Sequence, residues 1–168
     1  MRTRAVPLAL LALLAAGCTV KGHGKAAMPA WKVYVDEHPV SARPFTLRSG
    51  AVEVRVEAVV VEEHHTAFGK SSWLNVVKAT VVNQGSGPLL WTELTDGFRI
   101  RTRSGADTRG YVFMVGKAGW RRQERAKEPD QLPPGAAGAI RVQAEPGQSG
   151  VRDDPAAISF RGRTVELR

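Results

Sequence analysis

Cysteine is nearly absent from this 168-residue chain: the only one is Cys18. A lone thiol excludes an intramolecular disulfide framework and any cysteine cage around zinc or an iron–sulfur cluster. Long apolar runs are also scarce. The stretch from Ala5 to Ala16 would rise roughly 18 Å as a helix, against the roughly 30 Å of a hydrocarbon core, so a multi-span membrane protein is excluded. No amphipathic helical pattern stands out, and there is no phosphate-binding Gly-rich loop or His-Glu-x-x-His pair. Gly147-Gln148-Ser149-Gly150-Val151 misses the last glycine of a nucleophile elbow, which removes the commonest hydrolase signature. What remains is ordinary for one globular domain: 43% hydrophobic and 24% charged residues, too apolar for a disordered chain. Lys and Arg number 24 against 16 Asp and Glu, a formal charge of +8, which favours an anionic neighbour.

The N-terminus carries the sharpest signal. Arg2 and Arg4 precede the apolar stretch, and Thr3 between them excludes a twin-arginine address. The stretch reads as the core of a secretory signal, followed by Leu14-Ala15-Ala16-Gly17-Cys18. This resembles the lipobox of bacterial lipoproteins, in which small residues fit a peptidase cleft and the cysteine becomes the acylated first residue. Ala15 departs from the usual Leu, Val or Ile three residues before the cysteine, and an ordinary cleaved signal is the competing reading. The resemblance implies cleavage between Gly17 and Cys18, lipidation of Cys18, and no cofactor. Two or three acyl chains anchor a protein stably where one does not. Thr19 in place of Asp implies passage to the outer membrane, with the domain facing the periplasm. Removing residues 1–17 takes Arg2 and Arg4 with it and leaves +6. Residues 19–30 are small, polar and aperiodic, a tether in which Lys21 and Lys25 keep the linker soluble.

The expected organisation is a signal at 1–17, a lipidated cysteine with tether and irregular lead-in at 18–48, and a β-sandwich at 49–168. Trp31 to Asp36 reads as a first short strand, and His38-Pro39 and Arg43-Pro44 as breaks. From Ala51 the period is two: Val52, Val54, Val56, Ala58 and Val60 alternate with Glu53, Arg55, Glu57, Val59 and Val61. Trp73 to Asn83 is apolar on both parities, a central strand with Trp73 as a large core side chain. Further strands are predicted at Leu89–Trp91, Phe98–Arg103, Gly110–Val115, Ala139–Ala144, Ala157–Phe160 and Thr164–Leu167. The fold class is all-β, an antiparallel sandwich of seven to eight strands.

Val77 to Asn83, then Gly85, Gly105 and Asp107, then Leu132-Pro133-Pro134-Gly135 leading to Ile140-Arg141-Val142 and Pro146, resemble an immunoglobulin-like sandwich family of unknown function. That family is common among secreted and lipidated bacterial proteins, and the likeness covers roughly residues 50–168. It implies the sandwich rather than an activity.

Two polar clusters invite a function. Glu62-Glu63-His64-His65 reads as a solvated strand end rather than a metal site, with His64 and His65 as weak metal candidates and Glu63, His23, Met28 or Met114 as helpers for zinc or copper. Adjacent strand residues face opposite ways, so the two histidines cannot share an ion without a bulge. Arg99, Arg101 and Arg103 line one strand face, and Arg121 and Arg122 follow Trp120, a possible partner-binding surface. For an exported protein the fitting partners are an envelope protein, lipopolysaccharide or peptidoglycan rather than nucleic acid. The expected function is a membrane-anchored, non-catalytic binding or structural module; the alternative is a metal-handling lipoprotein of the periplasm.

Overall fold

Period-two patterning becomes twelve strands in the computed structural model, which describes residues 34–41, 43–65, 69, 71–116, 119–120, 130–145 and 150–168. In chain order they are β1 (Tyr34–Ser41), β2 (Phe45–Ser49), β3 (Val52–His65), β4 (Ser71–Asn83) and β5 (Leu89–Leu90), then a single-turn helix α1 (Trp91–Thr95). There follow β6 (Phe98–Thr102), β7 (Asp107–Arg109), β8 (Tyr111–Met114), β9 (Gln131–Leu132), β10 (Ala137–Ala144), β11 (Pro155–Phe160) and β12 (Arg163–Glu166). One sheet runs β1-β3-β4-β10-β8, with β2 also on β3. A second runs β12-β11-β6-β7, and β5 with β9 forms a two-stranded patch. The pairings are antiparallel, and the expected all-β sandwich is present.

The core lies between the two larger sheets. Val54, Val56, Val77, Val81, Ile140 and Val142 from the first meet Phe98, Ile100, Ile158 and Phe160 from the second. The Phe98 and Phe160 rings pack 4.7 Å apart at a 40° tilt. Each such side chain, fully buried, contributes about 1.5–3 kcal/mol. The outer face of β6 is charged, and Ala157 is nevertheless fully buried there. It pairs with Arg101 on one side and Glu166 on the other, and those two join in an ion pair across it.

Five sequence expectations change. The stretch 18–48 contains β1 and most of β2, so its second half is sheet rather than irregular lead-in. Pro39 does not break β1, because an edge strand tolerates a residue without an N–H. Leu89–Trp91 divides into β5 and α1, whose first turn is held by Glu93 Oε2 accepting the Leu90 N–H at 2.9 Å. Trp73 is half-buried outside the core cluster, while Trp120 is inside it, edge-on to Trp91 at 5.1 Å.

The fifth change concerns parity. The β3–β4 register shifts between Val56 and Ala58, so Glu57 and Ala58 both stand opposite Lys78. Val52, Val54 and Val56 face the core before this bulge, and Val59 faces it afterwards. Ala58 and Val60 therefore leave the inward set that simple alternation assigns them.

At the far end of β4, Asn83 binds two turns together. Its Nδ2 donates to the carbonyls of Gly87 and Leu132, both at 2.8 Å, and its Oδ1 accepts from Gly85 N at 2.9 Å. Its backbone N–H donates to Ala136 O, and its carbonyl accepts from Gly135 N. The Asn-plus-Gly turn and the Leu-Pro-Pro-Gly turn noted in the sequence are thus one hydrogen-bonded unit.

Candidate functional site

Beyond Val59 the inner face of β3 turns polar. Register places Val61, Glu63 and His65 on that face, opposite Asn75, Trp73 and Ser71 of β4 and opposite His38, Asp36 and Tyr34 of β1. Residues directly opposite share a face, so Asp36, His38, Glu63, His65, Ser71 and Trp73 converge near the tip of the β3–β4 hairpin. The bulge at Glu57 decides this membership. Uninterrupted alternation from Val56 would bring Glu62 and His64 inward instead.

His65 is the centre of the group. Its Nε2 lies 3.1 Å from Asp36 Oδ2 and 3.5 Å from Glu63 Oε2, and its Nδ1 lies 3.1 Å from Ser71 Oγ. His38 Nε2 is 3.5 Å from the same Glu63 oxygen, buried, and without a hydrogen-bond partner. Its ring leans on Trp73 at 5.7 Å. Arg152 stacks over the other side of this region, 5.8 Å from the Trp73 ring, with its charge engaged by Asp154 at 2.6 Å. Nearby Asp153 loses some basicity to hydrogen bonds. Burial pushes its pKa up, but bonds from Ser104 and Thr102 outweigh this and hold the carboxyl below the usual range.

Ser71, His65 and Asp36 form a hydrogen-bonded chain of the residue types used in acyl transfer. The arrangement departs from that chemistry at two points. The serine is on Nδ1 rather than Nε2, and the Asp36 side chain is 43% exposed where an orienting aspartate is buried. The donors suit a cation better. Asp36, Glu63 and His65 each offer a ligand atom, all within 4.8 Å of one another.

The other sequence candidates are placed differently. His64 is on the opposite face of β3, its Nε2 3.0 Å from Glu62 Oε2. Glu62 is almost wholly buried and also paired with Arg141, which accounts for His64 structurally. Met114 packs against the core on β8, an edge strand four steps across the sheet from β1 and so about 19 Å from it. Arg99 and Arg101 point outward from β6, and Arg103 is exposed in the turn after it. Arg99 is clamped by Asp107 through both carboxylate oxygens, at 2.9 and 3.0 Å, and Arg101 by Glu166, so much of that charge is neutralised within the sheet. Gly17, Cys18, His23, Met28, Arg121 and Arg122 lie outside the described residues. Asp36, His38 and Ser71 are the members that sequence reading missed. Asp36-x-His38 and Glu63-x-His65 are two acid-x-His pairs, but only the pairing of β1 with β3 shows that they meet.

No protein-family model matches the chain, and no curated protein matches it. Among solved structures, one described as a functionally unknown protein from Listeria monocytogenes EGD-e is similar over 66% of each chain, with 12% identity and a TM-score of 0.41.

Proposed function

We propose that the chain is an exported bacterial lipoprotein, held at the cell envelope by acylated Cys18 and presenting a non-catalytic, immunoglobulin-like binding sandwich. The observation that carries this reading is the placement of the chain's sole cysteine directly after Gly17, at the end of a short apolar stretch behind two arginines. Support comes from the layout. The first described strand begins at Tyr34, which leaves a short spacer after Cys18, and no helix among the described residues is long and apolar enough to cross a membrane. Thr19 favours the outer membrane, with the sandwich in the periplasm and an envelope protein, lipopolysaccharide or peptidoglycan as partner. The exposed position of Asp36 argues for binding over catalysis. A second reading, metal handling, is favoured by the Asp36, Glu63 and His65 cluster.

Intact-mass spectrometry of the membrane-extracted protein tests the anchor. The expected species begins at Cys18 and carries a diacylglyceryl group, and Cys18→Ser lacks that group and retains residues 1–17. A free thiol on a membrane-bound chain, or normal removal of residues 1–17 in the Cys18→Ser variant, overturns the proposal.

A further inference from the structure

We infer that Asp36, Glu63 and His65 form a binding site for a divalent transition ion of the zinc or copper(II) class, with His38 as an outer partner beside Glu63. The inference specifies a ligand for the binding module proposed above and rests on that reading. The geometry is the first argument. Zinc bonds of 2.0–2.2 Å to nitrogen and oxygen set the edges of a tetrahedron at about 3.3–3.6 Å. His65 Nε2 stands 3.1 Å from the Asp36 oxygen and 3.5 Å from the Glu63 oxygen, so an ion enters with small side-chain rotations. His38 Nε2 sits 3.5 Å from that Glu63 oxygen with no hydrogen bond to give up.

Charge and donor type agree. The two carboxylates neutralise a dication, and the His65 imidazole adds a neutral nitrogen donor. Imidazole with carboxylate suits zinc or copper(II), whereas copper(I) prefers thiolate or thioether sulfur. A solvent-open face gives the ion a route in: the His65 side chain is 34% exposed.

The second independent element is Ser71. Neutral His65 carries one ring proton. With the proton on Nε2, the ring donates to Asp36 and Nδ1 accepts from the Ser71 hydroxyl. With the proton on Nδ1, the ring donates to Ser71 Oγ and Nε2 keeps a free lone pair for the ion. Ser71 thus supports the metal-binding tautomer as an outer partner, the role such hydroxyl and carbonyl groups play around metal-bound histidines. The change is neutral overall: the Nε2 proton is lost to solvent and another is taken up at Nδ1, so the ring charge stays at zero.

The test is calorimetric titration of the full-length chain in detergent with Zn²⁺ and, separately, Cu²⁺, after treatment with a chelator. One equivalent of ion is expected to bind. His65→Ala and Asp36→Asn should each weaken binding at least a hundredfold, and His38→Ala and Ser71→Ala each about tenfold. His64→Ala should leave the affinity within twofold. Thermal unfolding of each metal-free variant confirms that it folds, and Asp36→Asn preserves shape while removing the charge. Absence of binding, equal losses in His64→Ala and His65→Ala, or undiminished binding in His65→Ala overturns the site. Those outcomes with Cys18 still acylated remove the metal and leave the anchored module standing; an unmodified Cys18 with intact metal binding does the reverse.

Discussion

The two ends of strand β4 use hydrogen-bonding side chains for opposite purposes. Ser71 and Asn83 are separated by about 40 Å of extended chain. At the Asn83 end, one amide satisfies the backbone of two loops and is itself buried, so no polar capacity is left over. At the Ser71 end, two histidines and two carboxylates face one another half in solvent, and His38 Nε2 stays without a hydrogen-bond partner. The first arrangement stabilises the fold. The second contributes little to stability and keeps its donors for something else. Buried polar groups are costly unless satisfied, so Asn83 is fully used, whereas the tip, where His65 and Asp36 are 34% and 43% exposed, carries one orphan atom at His38.

The contrast is open to attack at either end. Asn83→Leu is expected to be the most damaging change, because it leaves the Leu132 carbonyl and the Gly85 N–H without partners in a buried setting. Urea unfolding should show a loss of about 3 kcal/mol. Gly138→Ala comes next. A β-carbon there would lie 2.1 Å from the Trp120 indole nitrogen, and the overpacking should cost about 2 kcal/mol by the same measurement.

Glu53 provides a pH-dependent comparison. Its pKa is lowered from 4.5, chiefly by the Arg55 hydrogen bond; burial opposes this, and Arg48 adds to the lowering. A carboxylate with a depressed folded-state pKa adds stability that is complete above its unfolded value and drains away as pH falls through the folded one. Urea midpoints measured from pH 7 down to 3 should therefore decline below about pH 4.5, and Glu53→Gln should flatten that part of the curve. The smallest effects belong to the hairpin tip. Asp36→Asn and His65→Ala should change metal-free stability by no more than about 0.5 kcal/mol, the usual range for partly exposed polar substitutions. A loss of 2 kcal/mol or more at either position would make the tip a structural cluster and erase the distinction from Asn83.

Alternation made the strands readable, since Val52-x-Val54-x-Val56 and Phe98-x-Ile100 need no partner to declare which face is buried. The turns at Gly85, Gly105 and Gly135 were also plain from composition. The cluster was not legible, for a physical reason: Asp36 and Glu63 are 27 residues apart and become neighbours only through strand register, which no local pattern encodes. His64 and His65 were singled out together, and nothing near them marks which faces inward. Arg99 and Arg101 were placed on the correct face, but their acidic partners Asp107 and Glu166 come from other strands and were invisible to a reading along one strand.

The extra residue in β3 works as a phase shifter between two independent codes. Upstream of Glu57, even-numbered positions answer to the hydrophobic interior; downstream, odd-numbered positions answer to whatever the hairpin tip holds. Amino-acid replacements on either side of the shifter change only their own half. A one-residue insertion or deletion between it and Glu62, with strand pairing otherwise kept, would exchange Glu63 and His65 for Glu62 and His64 in a single step. Chain length within this strand, more than the identity of its residues, therefore guards the composition of the tip.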